Sequence, residues 1–175
     1  MPLPLSLIHI LTVTHNETSS GLTNRCDEIG EVIKKYPDVV WCVDAVSSAG
    51  GMKIEVDKWG IDVCVTSTQK CLGLPPGLAV CTFSDKALQR AKQIENRGFY
   101  LDLLKLYNVI QKKDYQYPST PSLPHLFALD YQLDCILEEG LEDVYKRQYV
   151  SCASRNVEPR PRYAHVRLVQ YVEFL

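Results

Sequence analysis

Two short apolar runs stand out along the chain, and each leads into a charged residue. The run 39–43 is followed at once by Asp44, and the run 61–66 is followed a short way on by Lys70. Both runs are rich in β-branched residues and are mostly apolar at successive positions rather than at alternate ones. That pattern is typical of strands buried on both faces of a parallel sheet. The chain is therefore predicted to be α/β, with a mostly parallel sheet.

Helical spacing of apolar residues separates and follows these strands. The first predicted helix has Ser19 or Ser20 as its cap and stops before Pro37. Its single apolar stripe consists of Leu22, Cys26, Ile29 and Ile33. Two further helices are predicted at 84–94, capped by its serine, and at 101–112.

A last helix is predicted from a cap at Ser122 to a stop at Gly140. Its apolar stripe consists of Leu126, Leu129, Leu133 and Leu137. Two more strands are predicted at 11–14 and 78–83. The second follows the turn 75–77, and we expect it to be antiparallel because so short a connection cannot make a parallel crossover.

Length and composition fit one ordinary domain. The 175 residues are 46% hydrophobic and 23% charged, as in soluble globular proteins. The net charge of −2 gives no reason to expect nucleic acid or a membrane as partner, and no apolar run reaches bilayer-spanning length. The seven cysteines form no CxxC pair, so we expect no metal site, no disulfide framework and a cytoplasmic location.

Asp44 and Lys70 carry candidate chemistry because ligands of parallel sheets bind outside the carboxyl ends of the strands. A carboxylate and an amine at that edge suit pyridoxal phosphate. Lys70 would form a Schiff base with the cofactor, and Asp44 would keep the pyridine nitrogen protonated so that the ring can accept electrons. Considered alone, such a pair is more often a surface ion pair or two solvated loop ends. The surrounding sequence decides between these interpretations.

Several sequence blocks occur in an order and spacing that resemble the class V aminotransferases of fold type I, especially the alanine–glyoxylate and serine–pyruvate group. The blocks are 15–21 (HNETSSG), 43–51 (VDAVSSAGG), 60–62 (GID), 67–70 (STQK), 75–78 (PPGL), 120–122 (TPS) and 138–142 (EEGLE). The resemblance implies the three-layer, mostly parallel sheet of that family's large domain, incomplete in this chain.

Residue by residue, the resemblance implies one catalytic lysine and four further cofactor-binding side chains. Lys70 would bind pyridoxal phosphate covalently, Asp44 would pair with the ring nitrogen, and Gln69 would contact the phosphate. Thr18 would touch the ring or its 3′ oxygen, and Thr120 would reach the phosphate of the neighbouring subunit's cofactor. From local sequence alone, Thr18 is equally well a hydroxyl that closes a loop, and Thr120 a turn residue before a helix.

Other polar residues near these blocks keep several interpretations. His15 stacks on the cofactor, makes a loop hydrogen bond or lies at the surface. The last two together are favoured, because the family's stacking aromatic usually comes from an earlier segment. Ser48 and the turn 75–77 are interpreted as structural, and a metal role for His125 is not expected.

The resemblance implies transfer of an amino group from alanine, serine or a similar small donor to glyoxylate or pyruvate, by a homodimer. One alternative is a cysteine desulfurase or another pyridoxal-phosphate lyase of the same class. A second alternative is an inactive product without catalysis. The family's phosphate cup, stacking aromatic and substrate-binding arginine are not matched in this chain, so we expect the chain alone to be inactive.

Two hexapeptides bracket the family-like blocks, 5–10 (LSLIHI) and 143–148 (DVYKRQ). They can be encoded by CTGTCTCTTATACACATC and GATGTGTATAAGAGACAG, which are reverse complements of each other. The string looks like the transposase recognition end used to prepare sequencing libraries. We therefore expect residues 1–10 to be a non-native lead, 11–142 to be the central part of the large domain, and 143–175 to be an adapter-like, unrelated tail.

Overall fold

The computed structural model describes residues 9–112 and 119–142. The predicted lead, apart from its last two residues, and the predicted tail 143–175 lie outside the described residues. The strands are β1 (Ile10–Thr14), β2 (Asn16–Glu17), β3 (Leu22–Thr23), β4 (Val40–Asp44), β5 (Val63–Ser67) and β6 (Ala79–Phe83). The helices are α1 (Cys26–Ile33), α2 (Val56–Trp59), α3 (Asp85–Lys92), α4 (Leu103–Ile110) and α5 (Leu123–Glu139).

Four of the strands form one sheet in the order β1-β4-β5-β6. The first three are parallel, and β6 runs antiparallel to β5, which confirms the prediction for the strand after the turn at 75–77. The register places Thr14 opposite Asp44, and Asp44 opposite Val65. The carboxyl ends of three neighbouring parallel strands therefore meet at one edge of the sheet.

Helices cover both faces of the sheet. Successive strand residues point to opposite sides, so each face presents its own apolar side chains to a helix. On one face, Trp41 and Val43 of β4 pack in a core with Cys26 of α1. On the other face, Val65 of β5 packs with Leu106 of α4. The predicted three-layer arrangement is confirmed.

The cysteines serve this core as small apolar residues. Burial is the main reason that the pKa of the Cys64 thiol rises to about 11 and that of Cys81 to about 12. The six described cysteines form no disulfide, and the described ranges contain no group of three His, Cys, Asp or Glu side chains that could hold a metal ion. Within those ranges, no helix combines the length and the apolar character needed to cross a membrane.

The segment after β1 differs from the prediction, since α1 begins at Cys26 rather than after Ser19 or Ser20. The intervening residues form the hairpin β2–β3 instead. Glu17 Oε1 accepts hydrogen bonds from the amide and hydroxyl of Ser19, and Gly21 takes a φ of +70° in the turn. The serine hydroxyl is thus used within the hairpin, and the helix starts after it without a side-chain cap.

The other predicted helices form, with adjusted ends. Ser84 caps α3 as predicted, accepting a hydrogen bond from the amide of Ala87 at 3.1 Å. The next helix starts at Leu103 rather than at Leu101, because the Asp102 carboxylate accepts from the Lys105 amide and so caps α4.

The last helix, α5, packs on the loop that joins β5 to β6. Leu129 and Ile136 are buried there against Leu72 and Leu78. The predicted stripe was wrong at its last position, since Leu137 is 50% exposed and Ile136 is 4% exposed. Compared with the predicted stripe, the buried face of α5 is shifted so that Leu129 and Ile136 contact the loop.

Candidate functional site

Asp44 closes β4 at the carboxyl edge of the sheet, and its side chain is exposed. Its Oδ1 accepts a hydrogen bond from the amide of Val46 at 2.9 Å, which fixes the turn that follows the strand. Its backbone carbonyl accepts from the amide of His15 at 2.8 Å, tying the ends of β4 and β1 together. Within the described residues, the second carboxylate oxygen accepts no hydrogen bond and remains available to a ligand.

Lys70 lies in the loop after β5, and hydrogen bonds within the loop hold its backbone. Thr68 is fully buried; its hydroxyl donates to the carbonyl of Pro75 at 2.8 Å, and its amide donates to the carbonyl of Leu78 at 3.1 Å. The Lys70 carbonyl itself accepts from the amide of Gly73 at 2.9 Å. The Lys70 side chain is exposed, and among the described residues its ammonium has neither an ion pair nor a hydrogen bond. The loop therefore holds the Lys70 backbone in place and leaves its side-chain amine available to a ligand.

Ser47, in the turn after Asp44, joins the three segments that carry candidate residues. Its hydroxyl forms a hydrogen bond with the hydroxyl of Thr18 in the β2–β3 hairpin. Its backbone carbonyl accepts from the thiol of Cys71, next to Lys70, at 3.2 Å. The structure thus brings the segments of Thr18, Asp44 and Lys70 together through one residue. Sequence reasoning did not single out Ser47; its only signal was its place in the block 43–51.

His15 lies beneath this edge and makes the loop hydrogen bond that was one of its three interpretations. The side chain is 4% exposed, and its Nδ1 lies 2.8 Å from the hydroxyl of Ser48, which is fully buried as well. The ring also lies against Trp59, with the ring centroids 5.9 Å apart. Burial lowers the pKa of His15, and the carboxylate of Asp27 partly offsets that shift. The buried contact between His15 and Ser48 therefore stabilises the turn that follows Asp44.

His125 connects the turn at 75–77 to the start of α5. Its Nε2 donates to the carbonyl of Pro76 at 3.1 Å, and its Nδ1 lies 2.7 Å from the hydroxyl of Ser122. A side chain at Gly77 would not fit, because a Cβ there would lie 2.8 Å from the His125 ring. The turn is thereby held against α5, in agreement with its interpretation as a structural support.

The two remaining candidates are exposed and less constrained. Gln69 precedes Lys70, and Thr120 lies just before the first residues of α5. Within the described residues, neither side chain makes a hydrogen bond, so the structure does not connect Thr120 with the other four candidates.

The chemistry of these groups suits a ligand that has a protonated ring nitrogen and a carbonyl carbon. The free oxygen of Asp44 can accept a hydrogen bond from such a nitrogen, and the amine of Lys70 can attack such a carbonyl. The hydroxyl of Ser67, at the end of β5, is buried and unpaired among the described residues, which leaves one more polar group at this edge. Pyridoxal phosphate has both of the reactive features, so the residues present fit it.

Comparison with known proteins identifies the family of the chain. A family model described as aminotransferase class-V matches residues 7–158. An uncharacterized aminotransferase of Methanocaldococcus jannaschii is 50% identical over 141 residues, which are 80% of this chain and 36% of that protein. A serine–glyoxylate aminotransferase of Arabidopsis thaliana is 36% identical over 144 residues, which are 80% of this chain and 35% of that protein.

Among solved structures, the chain is similar to an alanine–glyoxylate aminotransferase from Nostoc sp. The TM-score is 0.76 at 27% identity, over 83% of this chain and 38% of that chain. The chain thus spans little more than a third of the length of the proteins it resembles.

Proposed function

The chain belongs to the class V aminotransferases, and from that premise we propose that it is the central part of the cofactor-binding domain of a pyridoxal-phosphate-dependent aminotransferase. Its α/β architecture, with a mostly parallel sheet, is that of fold type I. The observation that carries the proposal is the convergence of Asp44 and Lys70 at the carboxyl edge of β4 and β5, where Ser47 joins their loops. Residues 11–142 form the proposed domain segment.

Asp44 and Lys70 have the two central roles in this proposal. The oxygen of Asp44 that is not bonded to the Val46 amide would accept a hydrogen bond from the protonated ring nitrogen and so keep that nitrogen charged. Lys70 Nζ holds the cofactor covalently at rest and, once released, moves the proton at the α-carbon of the amino acid. When bound, pyridoxal phosphate supplies the electron-accepting ring.

The remaining candidates position the cofactor. We assign Gln69 to the phosphate and Thr18 to the ring or its 3′ oxygen. Thr120 is assigned to the phosphate of the neighbouring subunit in a homodimer, which accounts for its lack of contact with the other four within the described part of one chain.

The proposed reaction moves an amino group from alanine, serine or a similar small donor to glyoxylate or pyruvate. The names of the Arabidopsis and Nostoc proteins, a serine–glyoxylate and an alanine–glyoxylate aminotransferase, support that choice of substrates. Small amino acids and 2-oxo acids are therefore the expected partners, and nucleic acid and membranes are not.

Covalent trapping tests the assignment of Lys70. The full-length protein that contains this segment is reduced with borohydride in the presence of pyridoxal phosphate and digested for mass spectrometry. We expect a pyridoxyl group on Lys70 Nζ, loss of it in Lys70→Ala, and its retention in the matched surface variant Lys58→Ala. A label spread evenly over exposed lysines, or absent from Lys70, would overturn the proposal.

A substrate assay separates transamination from the desulfurase alternative. Incubation with alanine and glyoxylate is expected to yield pyruvate and glycine in equal amounts. Release of sulfide from cysteine without transamination of alanine would refute the aminotransferase proposal and support the lyase alternative.

A further inference from the structure

The hydrogen bond between Thr18 and Ser47 has a direction that the chemistry of hydroxyl groups decides. A hydroxyl has one proton to donate, whereas its oxygen can accept from two donors. Among the described residues, the Thr18 and Ser47 side chains have only each other as hydrogen-bond partner. If Thr18 donates its proton to a ligand, the bond between the two hydroxyls must take its proton from Ser47.

We propose that Ser47 is a positioning residue of the cofactor site, whose hydroxyl donates to Thr18 Oγ1 and so directs the Thr18 proton toward the 3′ oxygen of the cofactor. This inference rests on the proposed function and takes the second of the two contacts assigned there to Thr18, the one with the 3′ oxygen. A donor chain of two hydroxyls is stronger than one alone, because each hydrogen bond polarises the next.

Thr18 needs such a contact because little else holds it. It lies in the exposed turn of the hairpin β2–β3, whose two strands have two residues each. Glu17 bonds to the neighbouring Ser19, so the turn is closed without fixing the Thr18 side chain. The Ser47 hydroxyl is the contact that orients Thr18 toward the edge of the sheet.

Ser47 also joins the Lys70 loop, but through a different atom. The thiol of Cys71 donates to the backbone carbonyl of Ser47, and a change of the Ser47 side chain leaves that carbonyl in place. Ser47→Ala therefore removes the contact with Thr18 and leaves the contact with Cys71 in place, whereas Cys71→Ala removes the thiol that donates to the Ser47 carbonyl and leaves the contact with Thr18 in place. The two functions of the residue can be measured separately.

The first measurement needs no cofactor. A double-mutant cycle of Thr18→Val and Ser47→Ala, by urea unfolding of the cofactor-free full-length protein, is expected to show a favourable coupling between the two hydroxyls. Changes that simply add would contradict a direct bond and overturn the proposal.

The second measurement follows the visible absorbance of the bound cofactor as a function of pH. A weaker donor leaves more negative charge on the 3′ oxygen, which holds the cofactor's proton more tightly. Ser47→Ala is thus expected to move the absorbance midpoint to higher pH and to weaken binding of pyridoxal phosphate about threefold to tenfold. Ser47→Thr, which keeps a hydroxyl, should restore both properties.

Ser19→Ala is the matched control, because it removes an exposed hydroxyl of the same turn that bonds to Glu17 and not to Ser47. An unchanged midpoint in Ser47→Ala, or an equal shift in Ser19→Ala, would overturn the inference. Borohydride labelling of Lys70 in the same samples separates the two levels. Labelling without a shift refutes only the role of Ser47, whereas absence of labelling refutes the proposed function itself.

Discussion

Asp62 is a buried carboxylate that joins the amino ends of β4 and β5 to the start of α3. Its Oδ2 accepts from the Trp41 amide at 2.9 Å and from Lys86 Nζ at 2.7 Å, and its Oδ1 accepts from the Ser84 hydroxyl at 2.6 Å. Asp62 is only 5% exposed, so these hydrogen bonds replace those that its carboxylate would make to water in the unfolded chain.

Removing this carboxylate should therefore be costly. Asp62→Ala leaves the Trp41 amide and the Ser84 hydroxyl proton unpaired, and it leaves Lys86 with the Val39 carbonyl but without its ion-pair partner. We therefore expect the free energy of unfolding to fall by about 3 kcal/mol. Asp57→Ala, at an exposed site on α2, should change it by less than about 0.5 kcal/mol. Urea unfolding of both variants checks the difference, and equal values would show that the Asp62 contacts contribute nothing.

The second prediction at this scale concerns acid. Burial favours the neutral ring of His15, so the folded chain binds fewer protons there than the unfolded chain. The resulting stability is present above the ordinary imidazole value of 6.5 and is lost as the pH falls below it. We expect His15→Asn to remove that part of the pH dependence in unfolding measurements.

Asp27→Asn should increase this pH dependence, whereas His15→Asn removes it. The Asp27 carboxylate raises the pKa of His15 and so partly offsets the lowering by burial. Without it the loss of stability on mild acidification should become steeper. A pH dependence that is the same in His15→Asn as in the unaltered protein would exclude His15 as its source.

At the scale of elements, α5 shows how a helix can be predicted correctly and oriented wrongly. Its start near Ser122 and its stop at Gly140 were predicted from a serine and a glycine, which are local signals. The Ser122 hydroxyl does not cap the helix, however, because it bonds to His125 Nδ1. Apolar residues occupy more than one face, with Phe127 70% exposed and Leu129 buried. Periodicity alone could not decide whether Ile136 or Leu137 faces the core.

A matched pair of substitutions tests that orientation. Ile136→Ala opens a cavity against Leu72 and Leu78, so we expect it to lower the free energy of unfolding by about 3 kcal/mol. Leu137→Ala removes a side chain that is half exposed and should cost less than about 1 kcal/mol. Thermal or urea unfolding of the two variants decides between them, and the reverse order of effects would mean that α5 is rotated.

The hairpin β2–β3 shows a different failure of local reasoning. Ser19 and Ser20 are good helix caps by residue type, and Leu22 fits the apolar stripe of α1. The structure leaves Leu22 59% exposed, because it belongs to a hairpin strand paired with Glu17 rather than to the helix. A serine hydroxyl serves a turn as well as a helix end, so its residue type could not discriminate between the two.

At the scale of the whole molecule, the chain combines a segment of class V aminotransferase sequence with the two antisense-compatible hexapeptides at 5–10 and 143–148. The family model matches residues 7–158 and so overlaps both hexapeptides. From the complementarity of their possible coding strings we nevertheless propose that residues 1–10 and 143–175 are foreign to the natural gene. Amplification of the locus from source DNA is expected to give a different sequence on both sides of the segment 11–142. A continuous natural gene that reads through both hexapeptides would refute this.

The sequence by itself determined the four strands of the main sheet and the place of the chemistry, but not the hairpin β2–β3. Short runs of successive β-branched and apolar residues favour buried strands, and the carboxyl ends of parallel strands lie at one edge of the sheet. Asp44 and Lys70 could therefore be placed at that edge before any contact was known. Their roles toward a cofactor came from the resemblance of the surrounding blocks.

Only the tertiary structure decided which distant residues support that edge. The bonds of Ser47 to Thr18 and to Cys71, and of His15 to Ser48, span 24 to 33 positions of sequence. Such bonds depend on the register of β1, β4 and β5 and on how the following loops close. No local pattern encodes that geometry, because each of these residues is an ordinary loop residue until the sheet brings its partner within reach.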